Sequence, residues 1–135
     1  MKFTLHSNRV ESLSINNIDK TTTSKNKFNF QYRCLHSADK KREFVIAFDF
    51  HLESKNGFDL NLEHHFLFKS AQNLTAEFLS SHFTTMNAPA IAYPYLRAFV
   101  ATVLLNAGLD SIALPAVNFV ELSKQKQQEA LSGNE

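Results

Sequence analysis

Three stretches of the chain alternate apolar and polar residues with a period of two. Phe28, Phe30, Tyr32 and Cys34 point one way, and Asn29, Gln31 and Arg33 the other. After a polar link from Ser37 to Arg42, Phe44, Ile46, Phe48, Phe50 and Leu52 share one face. Asp49, His51 and Glu53 share the second, which opens with Val45 and Ala47. Phe58, Leu60, Leu62, Phe66 and Phe68 then oppose Asp59, Asn61, Glu63, His65 and Lys69. Such alternation predicts antiparallel strands in a sheet with one solvated face. Lys55-Asn56-Gly57 predicts the hairpin turn, with Asn56-Gly57 as its two-residue centre. Upstream, Phe3, Leu5, Val10, Leu13 and Ile15 alternate, lose phase and resume. A bulge between Ser7 and Leu13, or two short strands, accounts for the slip. The polar run from Asp19 to Asn26 reads as a turn or mobile loop.

From Asn73 the period changes. Leu74, Phe78, Leu79, Phe83 and Met86 recur at three and four, predicting a short helix over Thr75 to His82 capped by Asn73 or Thr75. A long helix follows. Because an internal proline removes a backbone bond, its start is expected near Tyr93, with Pro89 to Ala92 as an irregular lead-in. Its end is expected near Asn106, with Gly108 as a left-handed stop. Ile91, Tyr95, Ala98, Phe99, Thr102, Val103 and Asn106 share one side, while Leu96, Val100 and Leu104 cover another. A helix apolar nearly all round should be buried all round, and one small sheet covers only one face. A second helix, a second subunit or a ligand must cover the rest. Leu96, Val100, Val103 and Leu104 are the expected oligomer interface. Residues 108–117 form a loop rich in apolar side chains, and Asn118 caps a last helix with Glu121 three residues on. That helix carries Phe119, Leu122 and Leu131 before residues 132–135 fray. Pro94 and Arg97 interrupt the apolar run too soon for membrane insertion.

Composition narrows the function. At 135 residues the chain is expected to be one α+β domain, with its sheet over 3–72 and its helical half over 73–131. Fourteen Lys and Arg against 13 Asp and Glu leave a formal charge of +1, without the strongly basic field of a nucleic-acid binder. Cys34 is alone, so neither an internal disulfide nor a multi-cysteine metal site can form. The N-terminus lacks the apolar stretch of a signal peptide, which makes the cytoplasm the expected compartment. With 3 glycines there is little room for a phosphate-binding loop. His64 and His65 point to opposite faces, and His51, Glu63 and His65 share a polar face without a nucleophile or a concave site. No catalytic constellation and no metal site emerge, and an enzyme is not expected.

The apolar surface is in excess. With 13 Phe, a Phe-rich sheet face and an apolar loop, the chain carries more than one sheet–helix sandwich can hide. Oligomerisation is one consequence; a groove for apolar segments of other chains is the other, since a phenylalanine ring buries a large area without needing a hydrogen bond.

Ala90-Ile91-Ala92-Tyr93-Pro94-Tyr95-Leu96-Arg97, followed after a glycine by Ile112-Ala113-Leu114-Pro115-Ala116-Val117-Asn118-Phe119, resembles the SecB family of export chaperones. The resemblance covers the C-terminal half well and the strands by pattern. It implies a four-stranded antiparallel sheet with helices packed on one face, and a homotetramer built as a dimer of dimers through sheet edges and the long helix. It also implies no cofactor, ATP-independent binding of unfolded polypeptides in apolar grooves, and delivery to the motor SecA. Pro94, Tyr95 and Arg97 match the start of the family's long helix, and Asn118 and Phe119 that of its last helix. Face phasing together with the resemblance makes Phe44, Phe48, Phe50, Phe66, Tyr95 and Leu114 the expected client groove. The export members are acidic, whereas this polar face mixes Asp49, Glu53, Asp59 and Glu63 with Arg33, Lys55 and Lys69. Weaker SecA binding is therefore expected. The alternative reading is an oligomeric accessory protein of the same fold that binds one specific partner.

Overall fold

A computed structural model describes residues 2–18, 25–110 and 112–125. The expectations placed on residues 19–24, on Leu131 and on 132–135 lie outside these. The chain divides into two compact units, Met1–Gln72 and Asn73–Glu135.

The first unit is an antiparallel sheet of β1 (Phe3–Asn17), β2 (Lys27–Leu35), β3 (Glu43–Glu53) and β4 (Phe58–Ser70), in the order β1-β4-β3-β2. The expected alternation is present, with Phe44, Ile46, Phe48, Phe50 and Leu52 all buried on one face. Rings lock that face across strands: Phe44 stacks on Phe68 at 5.1 Å and Phe48 meets Phe66 edge-on at 5.7 Å. Each such aromatic pair adds roughly 0.2–1 kcal/mol over a small-residue pair.

β1 is a single edge strand with two register shifts, between Leu5 and Ser7 and between Val10 and Ser12. The second lies in the stretch where the sequence loses phase; the first lies just before it. The β3–β4 turn differs from expectation. Gly57 has the positive φ, 93°, and Ser54 N–H donates to Phe58 O at 2.8 Å, so the loop is three residues, Lys55 to Gly57. Asn56-Gly57 is not a two-residue centre. The Gly57 N–H reaches Ser54 O at 3.3 Å, closing an ordinary turn before the left-handed glycine.

In the second unit α1 (Ala76–Leu79) is capped by Thr75, whose Oγ1 accepts from Phe78 N–H at 3.0 Å. It stops well short of His82. A wide π turn follows over Phe83–Asn87, where the Thr84 hydroxyl donates to Leu79 O at 2.9 Å. α2 (Ala88–Asn106) begins five residues before the expected Tyr93. Two facts permit this. Helical backbone at Asn87 already leads into it, and Pro89 occupies its first turn. Pro94 leaves the Ala90 carbonyl without its helical donor, but both residues are exposed, so water can take that place. Gly108, at φ 73°, ends the helix as expected: its N–H donates to Leu105 O at 3.2 Å and that of Leu109 to Leu104 O at 2.9 Å. The expected cap of the last helix, α3 (residues 119–125), is also present, with Asn118 Oδ1 accepting from Val120 N–H at 3.0 Å and Glu121 N–H at 3.3 Å.

Candidate functional site

α2 has a closed side and an open side. Leu96, Val100 and Leu104 are fully buried, in line with Ala88 and Ala92 at four-residue spacing. They serve the chain's own core, which removes them from the expected oligomer interface; Val103 is half-buried at the border. The open side is the opposite one. Ile91 is 44%, Tyr95 54% and Leu105 75% exposed, and Pro94, Ala98 and Thr102 lie exposed between them. No charged side chain stands among these six. Periodicity marked both faces as apolar, but only the fold decides which of them the chain covers itself. By length and composition the helical run Ala76–Asn106 is apolar enough to cross a membrane, yet its buried stripe is that of a core helix.

The expected groove residues divide in the same way. Phe44, Phe48, Phe50 and Phe66 are buried to within 2% and Leu114 to within 5%, so they are core within the chain, and of the six Tyr95 alone is open. The cause is the packing of these rings on one another across β2, β3 and β4, as in Phe28 stacked on Phe50 at 6.3 Å and Phe30 against Phe48 at 5.9 Å.

An apolar hollow opens beside the exposed helix face. Met86, Ala90 and Ile91 line one side and Val117, Phe119 and Val120 the other, around about 420 Å³. The loop forming its second wall is fixed to α2. The buried Tyr93 hydroxyl donates to Pro115 O at 3.0 Å, and its ring meets Phe119 edge-on at 5.7 Å. Burial raises the Tyr93 pKa and the nearby Arg97, 6.0 Å from the ring centre, partly opposes this, so the phenol keeps the proton that it donates. The sequence signal for this hollow was the run of apolar residues in a loop, which required a surface to lie against.

The polar sheet face carries a charge chain rather than a one-sign patch. Arg33 pairs with Asp49 at 2.6 Å and lies 3.9 Å from Glu63. Glu63 meets His65 at 2.7 Å, His65 lies 3.7 Å from Glu11, and Glu11 pairs with Arg9 at 3.4 Å. Basic groups thus face the acidic ones across all four strands. Among the described residues no cluster of His, Cys, Asp and Glu could hold a metal ion. Burial pushes the Cys34 thiol up to about 11, the opposite of what a reactive cysteine needs.

His64 is buried on the Phe face. Its Nε2–H donates to Asn8 Oδ1 at 3.0 Å and its ring lies 4.3 Å from that of Phe66. Desolvation, with a smaller contribution from His65, lowers its pKa to about 4.

Residues 5–130 match the family described as SecB, preprotein translocase subunit SecB. A segment of 43 residues is 44% identical to the protein-export protein SecB of Cupriavidus taiwanensis, and equally to that of Cupriavidus necator. It makes up 32% of this chain and spans 25% of those relatives. In fold, the chain is similar to the SecB-like chaperone of Mycobacterium tuberculosis, solved in complex with a ChAD peptide from an antitoxin. The TM-score is 0.68 at 15% identity, over 86% of this chain and 88% of that one. A protein of unknown function from Streptococcus agalactiae is similar at TM-score 0.59 and 12% identity, over 86% and 98% of the two chains. At such identities the solved structures speak for the fold.

Proposed function

The chain belongs to the SecB family, and from that premise we propose that it is a cytoplasmic, ATP-independent holdase for unfolded or non-native polypeptide. The observation that carries this is the open side of α2, where Ile91, Tyr95 and Leu105 are exposed with only uncharged residues between them. Water-exposed apolar area of this kind is stabilised by covering it, at roughly 25 cal/mol per Å². Two occupants share it. A second copy covers the helix face in a homotetramer, a dimer of dimers, with Ile91, Tyr95, Ala98, Thr102 and Leu105 replacing Leu96, Val100 and Leu104 as the contact. Client side chains take the hollow bounded by Met86, Ile91, Val117 and Val120. Binding needs no cofactor and no bond-breaking step. Phe44, Phe48, Phe50 and Phe66 belong to the core of the sheet.

Delivery to SecA is a minor part of this reading. Steering toward a basic partner needs a coherent negative field, and Arg33 and Arg9 interrupt it on the polar face. A second reading, one dedicated client protein, is favoured by the solved neighbour that holds an antitoxin peptide.

Suppression of aggregation tests the proposal. Light scattering of several chemically unfolded proteins is followed with and without the full chain. Suppression across unrelated clients is expected, and its loss in Val117→Asp with the fold intact. Failure with every client while one natural partner still binds would favour the dedicated-client reading.

A further inference from the structure

One row breaks the polar character of the sheet's second face. Leu35, Val45 and Leu67 stand side by side in register across β2, β3 and β4, with Leu35 37% exposed. They floor a cleft of about 270 Å³ whose rim includes His36, Lys40 and Glu43. The next row outward pairs Glu43 with Lys69 and Thr4, at the end of the sheet where Ser70 N–H donates to Arg42 O at 2.7 Å. The β2–β3 connection adds exposed Lys41, and exposed Lys2 precedes the first residue of β1. This end of the sheet thus carries Lys2, Lys40, Lys41 and Lys69, with Asp39 and Glu43. Glu43 already takes Lys40 at 3.5 Å, with 67% of that lysine side chain still exposed. Further along this face Arg33 pairs with Asp49 and Arg9 with Glu11.

We propose that this end of the sheet docks an acidic polypeptide segment that seats one apolar side chain in the Leu35–Val45–Leu67 cleft. The occupant follows from using both halves of the site. A nucleic acid or a simple anion would satisfy the lysines and leave the apolar floor against water or phosphate. A neutral or basic apolar segment would cover the floor and face uncompensated or like charge at the rim. A second copy docked through the same patch on a two-fold axis would bring one cationic end against the other. The cleft lies below the roughly 300 Å³ at which drug-sized ligand pockets begin, and suits a single large side chain. The site uses other residues than the helical hollow, so it stands or falls apart from the chaperone reading.

The test is fluorescence anisotropy with the full chain and a labelled short peptide that has a Leu-Phe centre flanked by glutamates. Serine-flanked and lysine-flanked versions serve as comparisons. The glutamate peptide should bind at least about tenfold more tightly than the serine one, with the preference shrinking from about 50 to about 200 mM salt. Lys40→Glu with Lys69→Glu should abolish that preference, and Leu35→Ser should weaken glutamate and serine peptides alike. Lys2→Glu with Lys41→Glu is an independent reversal if the first variant loses stability. Equal binding of the three peptides, or a preference unmoved by both reversals, would overturn the proposal. So would tighter binding of single-stranded RNA or phosphatidylserine vesicles lost in the same variants, or a change of oligomeric state on reversal, each reassigning the patch to that occupant.

Discussion

Lowering the pH from 7.5 to about 4 should destabilise this protein through one imidazole. His64 is buried and neutral, donating to Asn8, with a pKa lowered to about 4 from an ordinary 6.5. Between those values the unfolded chain binds a proton there that the folded chain does not. Stability therefore falls as pH drops through that window, and the penalty is complete below the folded value. Each unit of displacement corresponds to about 1.4 kcal/mol, so the full loss is roughly 3 kcal/mol. Against a typical net stability of about 5–15 kcal/mol, this is a large share. Urea unfolding followed by circular dichroism at half-unit pH steps reads it directly, with His64→Leu as the reference. The variant lacks the Asn8 hydrogen bond and should be less stable at pH 7.5, with the gap closing as pH falls. A gap constant across the window would refute the reasoning, because it would mean that His64 titrates alike in both states.

Three further outcomes follow from the same packing. Val100→Glu or Leu104→Glu should cause loss of folding by circular dichroism rather than mere dissociation, since each places a carboxylate in the subunit core at a cost of several kcal/mol. Tyr95→Asp or Leu105→Glu should instead lower the sedimentation coefficient toward that of smaller species while the thermal midpoint of the subunit fold is kept, both side chains being more than half exposed. Gly57→Ala should cost about 1–2 kcal/mol in urea unfolding from its φ of 93° alone, because the added Cβ would lie an ordinary 3.5 Å from Ile18 O.

Much of this architecture was legible because single-faced strands advertise themselves. β2, β3 and β4 alternate over most of their lengths, with Leu35, Val45, Ala47 and Leu67 as apolar exceptions on the polar face, and the Phe face is buried as the pattern requires. β1 was harder, since two register shifts reverse which residues point where. The start of α2 was misplaced because the cost of Pro94 was weighed without its surroundings: an exposed position leaves the orphaned carbonyl to water. The candidate site was least legible. Leu104 and Leu105 are adjacent and identical, yet one is fully buried and the other 75% exposed. Hydropathy gives both the same reading, and only tertiary structure separates core from open surface. Likewise, the row of Leu35, Val45 and Leu67 is assembled by register from three strands, so no local window of sequence contains it.

The interruptions in β1 bear on how a protein can live among sticky chains without being recruited by them. A holdase of the kind proposed would concentrate extended, aggregation-prone segments beside its outer strand, which here carries fifteen residues of backbone. A straight strand of that length would be a template for fibre growth. The shifts after Leu5 and after Val10 cut it into short runs with different twist, and the longest, Ser12 to Asn17, is mostly serine and asparagine. Arg9 and Glu11 flank the second break and reward only a neighbour whose charges fall in matching places. On the proposed function, such an edge would accept a mate with the same interruptions and then stop, and captive chains would find no continuous ladder to extend.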